Sequence, residues 1–180
     1  MITRIFIIVF CCLVTSCAYA QLDSNKTFEL SKGKWRMPLD NVTNIFLPNK
    51  FASGLMITSI PFYGIVFITN KPSEVYSVAE GKVISIFSIG EIKAVIIKYG
   101  DYYLIYSELE ECYVNKNDLV FTNSKIGRLR KKFDDKYELE FLAYFKSKEI
   151  ESIEDWFNPD LKKYYTAKQN KLMKKAESHQ

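Results

Sequence analysis

Histidine is almost missing from this chain. His179, one residue from the C-terminus, is the single one among 180 residues. That excludes a His-rich metal site. Cysteine is scarce where it would matter. Cys11, Cys12 and Cys17 lie in the first twenty residues and only Cys112 follows, so the folded part has no internal disulfide. With no imidazole inside the domain to serve as its base, Cys112 reads as a packing residue. Glycine (7) and proline (5) are few, and aromatics make up 15% of the chain, which argues against disorder. Neither charge dominates: 25 Lys and Arg face 21 Asp and Glu, a formal charge of +4. With no long basic run through the folded part, nucleic acid is not an expected partner. Internal repeats and low-complexity segments are absent.

What is present begins with an apolar run from Ile5 to Val14, preceded by Arg4. It is too short to span a bilayer, and Ala18-Tyr19-Ala20 has the small-residue pattern of a cleavage site. Residues 1–20 therefore read as a secretory signal, with a periplasmic or envelope destination beyond the inner membrane. Two endings compete. Cleavage can follow Ala20, or Val14-Thr15-Ser16-Cys17 can act as a lipobox that leaves Cys17 lipidated. The remainder, 48% hydrophobic over the whole chain, is enough for one domain with a true core.

Residues 21–32 are polar and read as a loose leader, and "GKWRMPL" (Gly33–Leu39) as the entry to the domain. Short alternating or apolar runs follow, broken by turn residues. The expected strands are Gly54–Ile60, Gly64–Ile68, Val75–Val78, Lys82–Ile89, Lys93–Tyr99, Tyr102–Ser107, Ile126–Arg130 and Tyr137–Phe145. Their enrichment in Val, Ile, Tyr and Phe favours strand over helix. Gly100-Asp101 marks a tight hairpin turn. The pattern predicts an all-β fold, an antiparallel sandwich or open barrel, with a short C-terminal helix. A helical turn is expected over Ser152–Phe157. Another begins with Asn158 as N-cap and Pro159 in first position. Residues 162–180 form a Lys-rich tail, either a solvated terminal helix or a contact for an anionic membrane or wall polymer.

The order of motifs over residues 33–161 resembles the LytM/lysostaphin-type zinc endopeptidase domain. The resemblance is carried by "FYGIVFITNKPSEVYSVAEGKVISIF" (Phe62–Phe87), "AVIIKYGDYYLIYSEL" (Ala94–Leu109), "VNKNDLVFTNSKIG" (Val114–Gly127), "ELEF" (Glu138–Phe141) and a closing "WFNPDL" (Trp156–Leu161). In that family three protein ligands hold zinc and a water takes the fourth place. The resemblance places the zinc His on Phe62 and the zinc Asp on Val66. It places a further His on Glu108 and the closing His-Leu-His pair on Glu138 and Glu140. Phe62 and Val66 have no donor atom, so the resemblance implies a peptidase-like domain without catalysis, cofactor or metal.

Within the family the chain is most similar to the EnvC-type murein hydrolase activators, which bind and switch on a peptidoglycan amidase. The implied function is the same: a former active-site groove that binds a hydrolase in peptidoglycan remodelling. The alternative is a peptidoglycan-binding or structural envelope module with no enzyme partner, using Tyr63, Tyr102, Tyr103 and Tyr106 to stack on sugars. Membrane association through a lipid on Cys17 or through the Lys-rich tail fits either reading. Glu108, Glu138 and Glu140 are expected to share one cleft. There they would raise at least one pKa, pair with local lysines such as Lys98 and Lys136, accept a cation from a partner, or hold calcium or magnesium.

Overall fold

Period-two alternation of apolar residues shapes the structure, a computed structural model that describes residues 24–47, 64–132 and 135–164. The clearest case is β9 (Tyr137–Phe145), in which Leu139, Phe141 and Ala143 are buried while Glu138, Glu140 and Leu142 face the other way. The same logic forms β2 (Ile65–Thr69), β4 (Gly81–Ile89), β5 (Ile92–Tyr99) and β6 (Tyr102–Cys112). Shorter strands complete the set: β1 (Asn44–Phe46), β3 (Glu74–Tyr76), β7 (Leu119–Val120), β8 (Lys125–Leu129) and β10 (Lys148–Glu149). All pairings between them are antiparallel.

The main path of the sheet runs β1-β2-β9-β6-β5-β4-β7. It is open, and the all-β expectation holds. β5 and β6 form the expected hairpin, with Tyr99 opposite Tyr102 and Gly100 at φ 58° in the turn. β1, β7 and β10 are too short to show a period in the sequence. The expected strand Gly54–Ile60 lies outside the described residues, as do the signal, Cys17 and residues 165–180.

β6 is longer than its alternation implies because it changes neighbours part-way. Tyr102–Ser107 pairs with β9, and Leu109–Cys112 pairs with β8. On the opposite side Tyr106 faces Val95 and Leu109 faces Lys93, so Ser107 and Glu108 together stand opposite Ala94. This bulge falls where the strand switches partner, and Glu108 takes a left-handed φ of 67° there.

The other face of the sheet carries an aromatic core. Phe28 stacks on Tyr102 at 4.2 Å between ring centroids, and Trp35 lies 4.9 Å from Trp156. The two ends of the domain are tied together here. Trp35 N–H donates to the Trp156 carbonyl at 3.0 Å, and Asn158 N–H donates to the Trp35 carbonyl at 2.9 Å.

The leader is not loose over its described part. Residues 24–29 are helical and Phe28 is 3% exposed. Its polar side chains are spent on the β5–β6 turn. Asn25 exchanges hydrogen bonds with Asp101 at 2.9 and 2.8 Å, and the Tyr102 hydroxyl donates to Glu29 at 2.9 Å. A polar segment thus docks through specific bonds that composition does not reveal.

At the other end a short 3-10 turn spans Ile153–Trp156, and a second spans Pro159–Tyr164. The Asn158 side-chain oxygen accepts the Asp160 N–H at 3.0 Å, the capping role expected of it.

Candidate functional site

Three strands bring the predicted residues together. Val66 on β2 is directly opposite Glu140 on β9, and Ile68 is opposite Glu138. On its other side Glu140 faces Ser107 of β6. Cross-strand partners share a face, so Val66, Ile68, Ser107, Glu138 and Glu140 line one side of the sheet, away from the aromatic core. Phe46 of β1, opposite Val66, extends the row and is 41% exposed. Phe62 lies outside the described residues.

Glu108 joins this group through its bulge. It is only 7% exposed, and its left-handed backbone is unfavourable for a residue with a side chain. Two bonds hold it. Arg130 N–H donates to its carbonyl at 2.9 Å, and the Arg130 guanidinium Nη2 donates to its carboxylate at 3.0 Å.

The cations come from the segment between β8 and β9. Because β8 and β9 take successive halves of β6, the chain between them passes beside Glu108. The Lys132 ammonium sits between two carboxylates, 2.8 Å from Glu138 and 3.4 Å from Glu108. Burial works against its charge, but the hydrogen bond to Glu138 and the field of both carboxylates leave its pKa raised. Lys98, one of the two lysines expected here, instead lies 5.4 Å over the Tyr103 ring. The signal for Arg130 and Lys132 is the run "RLRKK" (Arg128–Lys132) just ahead of the acidic strand.

Glu140 differs from its neighbours. Its carboxyl is pushed above the usual glutamate range, chiefly by burial and then by the charge of Glu108, with Lys132 and the Ser107 hydroxyl pulling the other way. Two cations serve three carboxylates, and Glu140 is the acid the salt bridges of the cluster leave out.

Two of the four tyrosines expected to stack on sugars are core residues. Tyr102 and Tyr106 are 3% and 0% exposed and belong to the core. The Tyr106 hydroxyl accepts the Val78 N–H at 3.0 Å, and its pKa is raised by burial. Tyr103 is half-buried, and Tyr63 lies outside the described residues.

The sequence profile of Peptidase family M23 matches residues 61–152, just over half of the chain, a span that holds Val66, Ile68, Glu108, Arg130, Lys132, Glu138 and Glu140. The chain belongs to peptidase family M23. Solved structures share the fold of this M23 domain at low identity. Helicobacter pylori Csd3 is 20% identical with a TM-score of 0.50, over 83% of this chain and 43% of that one. A zinc-containing peptidase from Vibrio cholerae is 20% identical, also at 0.50, over 66% and 38%. A chain of the SpoIIQ–SpoIIIAH pore-forming complex is 19% identical at 0.56, over 75% of this chain and 99% of its own. The M23 chain described here therefore spans less than half the length of the Csd3 and Vibrio cholerae chains. No curated protein matches it.

The described residues of the site do not fit zinc. Three protein donors are needed, and Val66 supplies none. Glu108 and Glu138 are turned onto Arg130 and Lys132. An ammonium held 2.8 Å from a carboxylate oxygen repels a dication at the same place. Among the described residues no three His, Cys, Asp or Glu side chains converge to hold a metal ion.

Proposed function

We propose that this M23 domain is a non-catalytic envelope protein that binds a peptidoglycan hydrolase, an amidase, through its former active-site groove and activates it. The observation that carries the reading is the Lys132 ammonium seated between Glu108 and Glu138, where the family's chemistry would need free donors. The groove keeps its walls. Phe46, Val66 and Ile68 form a partly exposed apolar side, and the half-buried carboxyl of Glu140 stands beside it. Such a pairing suits a partner segment that brings an apolar side chain and a Lys or Arg together. The SpoIIQ–SpoIIIAH complex, which contains a chain of similar fold, supports partner binding as a use of this fold. The domain would act outside the inner membrane, delivered by the signal at residues 1–20.

The second reading, a module that binds the wall polymer alone, is weakened by the burial of Tyr102 and Tyr106. Calorimetric titration with a periplasmic amidase from the same cell separates the two. Phe62→Arg and Glu140→Lys should each weaken binding about tenfold or more by placing a cation in the contact. Unchanged affinity with both variants would place the contact elsewhere.

A further inference from the structure

Among the described residues the sheet ends on an edge that lacks the usual protection. β4 is paired with β5 from Lys82 to Ile89, but on its other side β7 covers only Gly81 and Lys82. Two more bonds, Val83 N–H to the Asp118 carbonyl and Asn117 N–H to the Val83 carbonyl, extend that cover by one residue. Beyond Val83 no described residue pairs with this edge. The open stretch reads "ISIFSI" (Ile84–Ile89), with no charge and no proline. Free edges in natural proteins are normally blunted by lysine, proline or a covering element. Apolar exposure gathers here as well. Phe87, Ile89, Leu119 and Phe121 are 41%, 70%, 72% and 66% exposed.

We propose that this edge joins two copies of the chain, strand β4 against strand β4, antiparallel about a two-fold axis at Phe87. The occupant of a strand edge must be another strand, because its unpaired N–H and C=O groups demand that geometry. The register with β5 puts Ser85, Phe87 and Ile89 on one face, opposite Ile96, Ala94 and Ile92, and Ile86 and Ser88 on the other. A two-fold normal to the sheet sets Phe87 against Phe87, Ser85 against Ile89 and Ile86 against Ser88. Every pair then shares a face and no charge meets a charge. An aromatic pair lies on the axis. The uncharged stretch, with Phe87 and Ile89 exposed, thus meets its own copy without a charge clash, as a symmetric interface requires. Phe87 and Ile89 also share their face with Glu138 and Glu140, so the dimer places both grooves on the same side of one continuous sheet.

The test is sedimentation of the purified protein over a range of concentrations, with cross-linking. A dimer is expected, and Ile89→Lys should weaken it about tenfold or more without changing the circular dichroism melt, because Ile89 is exposed. In a Cys112→Ser background, Phe87→Cys should give a disulfide-linked dimer without reductant. Antiparallel partners sit about 4.5–5.5 Å apart at Cα, within disulfide reach. A dimer that survives Ile89→Lys and fails to cross-link at position 87 would overturn the proposal. So would a monomer at every concentration. If β4 amides of that monomer gain exchange protection only when an amidase is added, the edge belongs to the partner's strand instead.

Discussion

Lys132 and Glu140 define the site at the level of single residues. One is a cation bracketed by two acids; the other is an acid that the cluster's salt bridges leave out. The two β9 carboxylates should therefore respond oppositely to neutralisation. Glu138→Gln removes a charge-assisted bond to Lys132 and should destabilise the domain by about 1–2 kcal/mol at neutral pH. Glu140→Gln should stabilise it by about 0.5–1 kcal/mol, because the carboxylate it removes is desolvated and repelled. The pH dependence has a definite sign. A carboxyl whose pKa is higher in the folded than in the unfolded state favours folding at low pH, and that contribution is lost as pH rises through its folded value. The advantage of Glu140→Gln should vanish below about pH 4 and grow as pH rises through the raised folded value. Thermal melts of the wild type and both variants across this range check the prediction. Two variants that shift in the same direction would mean that the carboxylates act as one unit.

The change of neighbours along β6 creates the site at the level of elements. Glu108 occupies the bulge where β9 ends and β8 begins, and the chain between those strands returns past it with Arg130 and Lys132. β8 must lie close to β6 for this. Gly127 allows it, since a Cβ there would collide with the Glu111 carbonyl. Gly127→Ala should destabilise the fold by about 1–3 kcal/mol, measured by urea unfolding. It should also loosen the Arg130–Glu108 contact.

Much of this architecture was legible in the sequence. β2, β4, β5 and β9 show their period over five to nine residues and were placed almost to their ends. β1, β7 and β10, of two or three residues, depend on neighbours for their existence. The helical segment 24–29 was obscured because its polar face bonds to the hairpin turn and only Phe28 enters the core.

For the molecule as a whole, the acids of the groove were legible because strand periodicity fixes which residues share a face. Val66 and Glu108 enter through the resemblance to the LytM-type domain, while Glu138 and Glu140 follow from that rule alone. Arg130 and Lys132 do not. The basic run Arg128–Lys132 is visible just ahead of the acidic strand, but the place of its side chains depends on a chain segment passing a bulge.

The groove, its internal cation and the apolar β4 edge are the features on which the proposed binding role of this M23 domain rests. The most direct measurement is release of dye-labelled fragments from purified sacculi. Three arms are needed: the protein alone with added zinc, an amidase of the same cell alone, and the two together. The account predicts no release by the protein alone and a several-fold faster release by the pair than by the amidase. Release by the protein alone, lost on chelation, would contradict it, as would an amidase rate unchanged by the protein.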